Sequence, residues 1–356
     1  MMINVAFRQQ YDSCQIALDI QIPNKGVTAV FGPSGAGKST LLRVIAGLES
    51  IDDATVSVGD DIWQSNSRFV ATHERGVGMV FQQPCLFEHL TVEQNILYST
   101  RLGRARKSLD EYRVDDFISR FGLAPLMQRL PHTLSGGEQQ RVAIVRAIAA
   151  QPKVLLMDEP LSSLDDGLKA EFMDELGVLL QNLHLPVVYV THSLAEVAKI
   201  SQHLLLIEQG KCVGQGKTNE LLTDLDSLLA KSINAKSALE ATVISHDTKH
   251  HMSVLATSAG DLFTTKIDKP ISHKLKVVIQ AKDVSVTLSR QQDTSILNVL
   301  EGQVVGFENT ESGRVTLKVS VNSCFILSQI TQRSFSQLAI DIGCKVFIQI
   351  KSMALC

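Results

Sequence analysis

The 356-residue sequence contains no run of about 18 apolar residues, so no segment of it reads as a membrane span. It lacks a basic excess. Lys and Arg number 34 against 37 Asp and Glu, a formal charge of −3, which argues against a nucleic-acid-binding face. The six cysteines, Cys14, Cys85, Cys212, Cys324, Cys344 and Cys356, form no C-x-x-C pair and no Cys/His cluster at zinc-ligand spacing. In a reducing compartment they read as small buried hydrophobes or inert thiols. No low-complexity segment is present. Met1 to Phe7 alternates like a strand and is followed by Arg8 and Gln9, without the basic-then-apolar pattern of a secretory leader. The expectation is a cytosolic chain.

What is there fits a globular protein, with 44% apolar and 20% charged residues. The length exceeds one ordinary domain, so two or three are expected. The patterning changes near residue 232. Before it, short apolar runs (Val27–Gly32, Gly76–Phe81, Val154–Met157, Val187–Val190, Leu204–Ile207) alternate with helical spacing at Ser39–Leu48, Gln139–Ala150, Leu168–Leu183 and Leu194–Ile200. Such alternation predicts a mostly parallel sheet covered on both faces. Beyond Lys231 a short helix-like linker is expected. Period-2 segments then dominate, among them Thr242–Ser245, Ser253–Thr257, Lys276–Gln280, Val315–Val319 and Val346–Ile350. Turn-rich stretches such as Ser258–Asp261 separate them, which predicts a small barrel or sandwich. Charge divides as well: residues 1–231 carry 21 basic against 27 acidic side chains, and residues 232–356 carry 13 against 10.

Gly32, Pro33, Ser34, Gly35, Ala36, Gly37, Lys38 and Ser39, followed by Thr40, fit G-x-x-x-x-G-K-[ST] between an expected strand and an expected helix. Glycines allow backbone amides to turn inward around phosphate oxygens, and the helix start adds its positive dipole end. Lys38 is expected on the β- and γ-phosphates and Ser39 on Mg²⁺. A second element lies at Val154–Met157, an apolar run that ends in Asp158-Glu159-Pro160. Acidic residues at the carboxyl end of a buried strand occupy the place where α/β sheets keep ligand chemistry. Asp158 is expected to anchor Mg²⁺ and Glu159 to act as general base toward the attacking water. A strand ending in a solvated acidic turn is the plain alternative.

Together with further motifs, these residues resemble the ATPase subunits of ABC transporters. Leu134-Ser135-Gly136-Gly137-Glu138-Gln139-Gln140 matches the family's signature, and Gln82 its glutamine loop. Ser162-Ser163-Leu164-Asp165 matches the D-loop, and His192 the switch histidine. The resemblance implies a P-loop α/β domain with a mixed sheet and a helical subdomain. It also implies a homodimer in which ATP is held between one chain's phosphate loop and Ser135, Gly136 and Gly137 of the other. In that scheme His192 holds the γ-phosphate and the water, and Gln82 links Mg²⁺ to the transport interface. An aromatic usually stacks on adenine, and Tyr11 is the candidate; a strand-end tyrosine is the alternative. Leu86, Phe87 and Leu90 lie where importers of this family meet a membrane subunit, or else cap the ATPase core.

The tail resembles the all-β, oligonucleotide-fold-like (TOBE/Mop) module of an importer group, and within it that of molybdate importer ATPase subunits. Ile279–Ser285, Thr294–Leu300 and Gln349–Ser352 carry this likeness. It implies three segments: an ATP-binding domain over 1–231, a linker and β segment over 232–291, and an oxyanion-binding or dimerising module over 292–356. Thr294, Ser295, Asn298, Lys351 and Ser352 match positions that hold a tetrahedral oxyanion. Leu297 stands where many such modules have arginine, and a tail that only dimerises the subunits is the equal alternative. The implied partners are integral membrane permease subunits and, indirectly, a periplasmic or extracellular substrate-binding protein, at the cytoplasmic face of the inner membrane. No nucleic acid is expected. Tungstate, sulfate or a sugar are the alternative cargoes. A soluble ABC ATPase acting on ribosomes is disfavoured by the single phosphate loop, and a molybdate store or sensor leaves the ATPase motifs idle.

Overall fold

The computed structural model describes residues 2–11, 14–98, 114–162, 164, 166–232, 234–310 and 313–355. Ser163 and Asp165 of the D-loop match, and Cys356, lie outside the described residues. The chain forms two compact units, Met1–Gln215 and Gly216–Cys356.

The first unit is built on one eleven-stranded sheet. Its strands are β1 Met2–Gln10, β2 Gln15–Pro23, β3 Gly26–Phe31, β4 Thr55–Val58, β5 Asp61–Ser65, β6 Arg68–Phe69, β7 Val77–Val80, β8 Val154–Asp158, β9 Pro186–Thr191, β10 His203–Glu208 and β11 Lys211–Lys217. Their spatial order is β6-β5-β4-β1-β2-β11-β10-β3-β9-β8-β7. The sheet is mixed: β6 to β2 pair antiparallel, whereas β10, β3, β9, β8 and β7 run parallel. Among the described residues, helices α1 Lys38–Ala46, α2 Val92–Ile96, α3 Val114–Arg120, α4 Gly136–Ala149, α5 Asp166–Asn182 and α6 Leu194–Ile200 accompany the sheet.

The central strands are apolar on both faces because both are covered. In β8, Val154 and Leu156 pack into the core that includes Leu41, Leu42 and Ile45 of α1. Leu155 and Met157 point into the core of α4 and α5, with Val142, Val145 and Phe172. Period-2 alternation thus feeds two cores from one strand.

Arg75, at the entrance to β7, is fully buried. Its guanidinium donates to Val44 O at 2.8 Å and Ile45 O at 2.9 Å, closing the carboxyl end of α1, and to Val70 O at 2.8 Å. A cation there complements both the open carbonyls and the helix dipole. Burial lowers its pKa to about 10.

The second unit opens with two short helices, α7 Thr218–Leu222 and α8 Leu228–Lys231. Its strands are β12 Lys236–Asp247, β13 Met252–Thr257, β14 Gly260–Thr265, β15 Lys274–Gln280, β16 Val284–Thr287, β17 Asn298–Thr310, β18 Arg314–Val321, β19 Cys324–Thr331, β20 Lys345–Ile350 and β21 Ala354–Leu355, with α9 Gln332–Gln337 before β20. Two five-stranded sheets result, β14-β13-β12-β15-β21 and β16-β20-β17-β18-β19. They enclose one core that includes Val243, Leu255, Val277, Val304, Leu317 and Ile348.

The two compact units meet at 215/216. Asn219 Oδ1 of α7 accepts the Ala238 amide of β12 at 2.9 Å, which ties this helix to the tail strands. In the tail β16 joins the sheet of β17–β20, while β21 joins that of β12–β15. Some local sequence expectations are corrected here. Ser258–Asp261 is not all turn, since Gly260 and Asp261 open β14. The linker beyond Lys231 is not helical; α8 ends there and β12 begins at Lys236. Cys85 is exposed rather than buried. Among the described residues no helix is long and apolar enough to cross a membrane.

Candidate nucleotide site

Four parallel strands, β3, β9, β8 and β7, stand side by side in that order. Parallel strands aim their carboxyl ends the same way, so whatever follows each strand gathers at one edge. Gly32 follows β3, His192 follows β9, Asp158 ends β8 with Glu159 after it, and Gln82 lies two residues past Val80, the end of β7. This topology gathers residues that are far apart in the chain.

The loop after β3 wraps the start of α1. Gly37 is its N-cap, with φ 100°, a conformation that favours glycine, and no side chain caps the helix. There is no acidic residue in the first turn. The first-turn amides of α1 are therefore left to an anion. A Cβ on Gly32 would meet Ile207 O at 2.0 Å, so only glycine fits the crossing with β10. The Lys38 ammonium donates to Gly32 O at 2.9 Å and Pro33 O at 2.8 Å. Lys38 is buried, and desolvation lowers its pKa against the opposing pull of Glu159 and Asp158.

Ser39 Oγ donates to Asp158 Oδ1 at 3.1 Å. Burial raises the Asp158 pKa, and the Ser39 hydrogen bond works in the other direction. A half-buried carboxylate beside a hydroxyl, both supplying oxygen, is a donor set that fits a hard divalent cation such as Mg²⁺. Glu159 has φ 44°, a strained value for a residue with a Cβ. Its amide donates to Val190 O at 3.0 Å, and its carbonyl accepts the Ser162 hydroxyl at 2.8 Å. Its Oε1 lies 3.2 Å from Nδ1 of His192.

A cleft of about 510 Å³ is lined by Tyr11, Cys14, Ile16, Ser34, Gly35, Gly37, Lys38, Ser39, Thr40, Gln82 and Glu159. The Tyr11 hydroxyl is hydrogen-bonded to the Glu49 carboxylate. Burial and the Glu49 contact raise the phenol's pKa. Ser135, Gly136 and Gly137 are not among the lining residues; they open α4 instead. Ser135 is its N-cap in a reciprocal capping box with Glu138: Ser135 N donates to Glu138 Oε2 at 2.7 Å, and Glu138 N to Ser135 Oγ at 3.3 Å. The Ser135 amide and hydroxyl hold the Glu138 carboxyl below the usual carboxylate range.

A family model described as ABC transporter matches residues 17–162, and one described as TOBE domain matches residues 294–355. The molybdenum import ATP-binding protein ModC of Albidiferax ferrireducens is 40% identical over 355 residues, covering 99% of this chain and 95% of that protein. The chain belongs to the ABC transporter ATP-binding family. The molybdenum import ATP-binding protein ModC of Methylococcus capsulatus is 39% identical over 356 residues, 99% of each. Among solved structures, cbiO1 from Clostridium perfringens, part of the ABC transporter complex cbiONQ, aligns with a TM-score of 0.53 at 27% identity, covering 62% of this chain and 90% of that one.

An ABC ATPase binds ATP, and the cleft around Lys38 is the place its geometry provides. Cys14 and Ile16 line that cleft without having been singled out by motif. The alternation of β2, with Ile16, Leu18, Ile20 and Ile22 buried, is the signal that could have placed Ile16.

In the tail, Asn298 and Ile350 are register partners of β17 and β20, which brings Asn298 near Lys351 and Ser352. Asn298 is buried, and its amide bridges to β14: Oδ1 accepts Phe263 N at 2.7 Å and Nδ2 donates to Phe263 O at 2.9 Å. Ser352 Oγ donates to Asp283 Oδ2 at 2.8 Å, and Thr294 Oγ1 accepts Ile296 N at 3.2 Å. Ser295 and Lys351 are exposed.

Proposed function

We propose that this ABC ATPase energises the import of molybdate through a separate membrane permease, at the cytoplasmic face of the membrane. The observation that carries the reading is similarity of about 40% over nearly the whole chain, tail included, to proteins named for molybdenum import.

The chemistry assigned to the site is ATP hydrolysis. The α1 amides and Lys38 bind and neutralise the phosphates. Ser39, Asp158 and Gln82 are the residues proposed to hold Mg²⁺, which when bound supplies positive charge against the phosphate oxygens. Glu159 takes a proton from the attacking water onto its carboxylate. His192 holds that carboxylate in orientation through Nδ1 and presents its other ring nitrogen to the γ-phosphate. Tyr11, anchored by Glu49, supplies a ring surface for adenine.

Ser135, Gly136 and Gly137 are assigned to the ATP of a second copy. Their position outside the cleft, at the start of a fourteen-residue helix, favours use in trans. Closure then depends on ATP bridging two chains, and hydrolysis removes the bridge. Leu86, Phe87 and Leu90 form the surface assigned to the permease, which receives cargo from a substrate-binding protein on the far side.

For the tail, Ser295, Lys351 and Ser352, with Thr294, are proposed as donors to a regulatory oxyanion. Asn298 is already satisfied by Phe263 and is assigned a structural part in that site. The proposed function is tested by reconstituting the chain with its permease in lipid vesicles and measuring phosphate release. The reading requires ATPase stimulation by the molybdate-loaded binding protein. Stimulation by a sulfate-loaded one, with none by a molybdate-loaded one, would reassign the cargo.

A further inference from the structure

Residues 81–91 run from the nucleotide cleft, at Gln82, to the apolar side chains Leu86, Phe87 and Leu90. The segment contains no helix or strand. A stretch without regular structure must satisfy its backbone polar groups elsewhere. Here they are taken up by side chains from two helices. Gln140 of α4 donates to Phe81 O at 3.3 Å. Arg146, also on α4, donates from Nη1 to Cys85 O at 2.9 Å and from Nη2 to Pro84 O at 3.1 Å. The Arg146 guanidinium also lies 5.5 Å from the centre of the Phe87 ring. From α2, buried Asn95 accepts Phe87 N at 2.9 Å and donates to Phe87 O at 3.1 Å, Leu90 O at 3.0 Å and Thr91 O at 3.1 Å.

We infer that Arg146 is a positioning residue that makes the segment from Gln82 to Phe87 follow helix α4, so that a push on Leu86 and Phe87 reaches the nucleotide cleft. The inference rests on the permease reading given above. Its physical basis is the fork of the guanidinium. Two donors of one fork hold two consecutive carbonyls while the guanidinium lies over the Phe87 ring, an arrangement that a lysine ammonium cannot reproduce. The same helix carries Ser135, Gly136 and Gly137 at its start. One rigid element therefore bears the signature at one end and grips the docking segment further along. Burial of the guanidinium, which lowers its pKa, makes its hydrogen bonds costly to leave unmade.

The test compares Arg146→Lys with wild type. In the isolated chain, amide hydrogen exchange over residues 83–91 rises by about tenfold or more, exchange in β8 is unchanged, and ATP affinity stays within about twofold. In the full complex in lipid vesicles, permease-dependent stimulation of ATPase activity falls while the basal rate is kept. Unchanged exchange over 83–91 overturns the role of Arg146 whatever the permease does. Raised exchange with full stimulation overturns the coupling role. A wild-type complex whose ATPase ignores the permease overturns the permease reading itself, and the coupling role with it. Should Arg146→Lys fold poorly, Phe87→Leu removes only the stacked ring. Exchange over residues 83–91 must then rise in Phe87→Leu alone, and unchanged exchange in that variant contradicts the proposal.

Discussion

Oε1 of Glu159 faces Nδ1 of His192 across 3.2 Å, although 33 positions of sequence separate them. The contact exists because β8 and β9 are parallel neighbours, with Asp158 beside Val190 in register. The carboxylate is also fixed from below by a backbone at φ 44°, a conformation kept only where the surroundings hold it. In the proposed role of general base, a carboxylate oriented on two sides needs little reorganisation when it takes a proton.

Glu159→Gln keeps the shape and removes the basicity. Phosphate release falls by about 10²- to 10⁴-fold, the usual worth of a positioned base. ATP binding, read by equilibrium titration, is retained, and the variant accumulates as an ATP-bound closed dimer. Normal turnover would remove Glu159 from the base role.

Lys38→Ala deletes the ammonium at the centre of the phosphate loop. Hydrogen bonds between charged partners contribute about 1.5–3 kcal/mol, so nucleotide affinity drops roughly tenfold to a hundredfold. Titration with a non-hydrolysable ATP analogue measures this. Unchanged affinity contradicts the phosphate assignment.

Arg75→Met leaves the carbonyls of Val44, Ile45 and Val70 without their donor in a buried setting. The expected loss is about 3 kcal/mol, in the range for removing one partner of a buried charged contact. Urea unfolding followed at the single tryptophan, Trp63 in β5, reports it; a midpoint equal to wild type is the contrary result.

Glu138 gives a pH dependence of defined sign. Its folded pKa lies below the ordinary carboxylate value because Ser135 donates to it. Its contribution is therefore complete above that ordinary value and is lost as pH falls through the folded pKa. The stability gap between wild type and Glu138→Gln should be widest near neutrality and close in acid, as read by thermal unfolding at several pH values. A gap that widens in acid contradicts the capping geometry.

Calorimetric titration addresses the tail. Full-length chain is expected to take up molybdate and tungstate in preference to sulfate, and to lose that binding on Lys351→Ala. Heat retained in the variant would move the anion elsewhere, and no heat for any oxyanion would leave the tail a dimerising module.

The phosphate loop, the signature and the carboxylates after β8 were legible because each is a short run whose chemistry depends on its own neighbours. The unbroken apolar run Val154–Met157 likewise announces a strand covered on both faces. The antiparallel strands β4 to β6 are not legible, since they are short and only β4 pairs with β1, far along the chain, with β5 and β6 added outside it. Nor was the buried role of Arg75 or Asn95. A charged or amide side chain in sequence reads as surface, and only the fold reveals the carbonyls it serves. The exchange of β16 and β21 between the two tail sheets is hidden for a related reason, since composition does not register which sheet a strand joins.

The most direct test of the whole account is transport itself. Vesicles containing the chain and its permease, with ATP on the side of this chain, should accumulate labelled molybdate against a gradient. Accumulation should cease with Glu159→Gln and persist in excess sulfate. Molybdate entry that is indifferent to ATP, or to Glu159, would contradict the assignment of this chain as the motor.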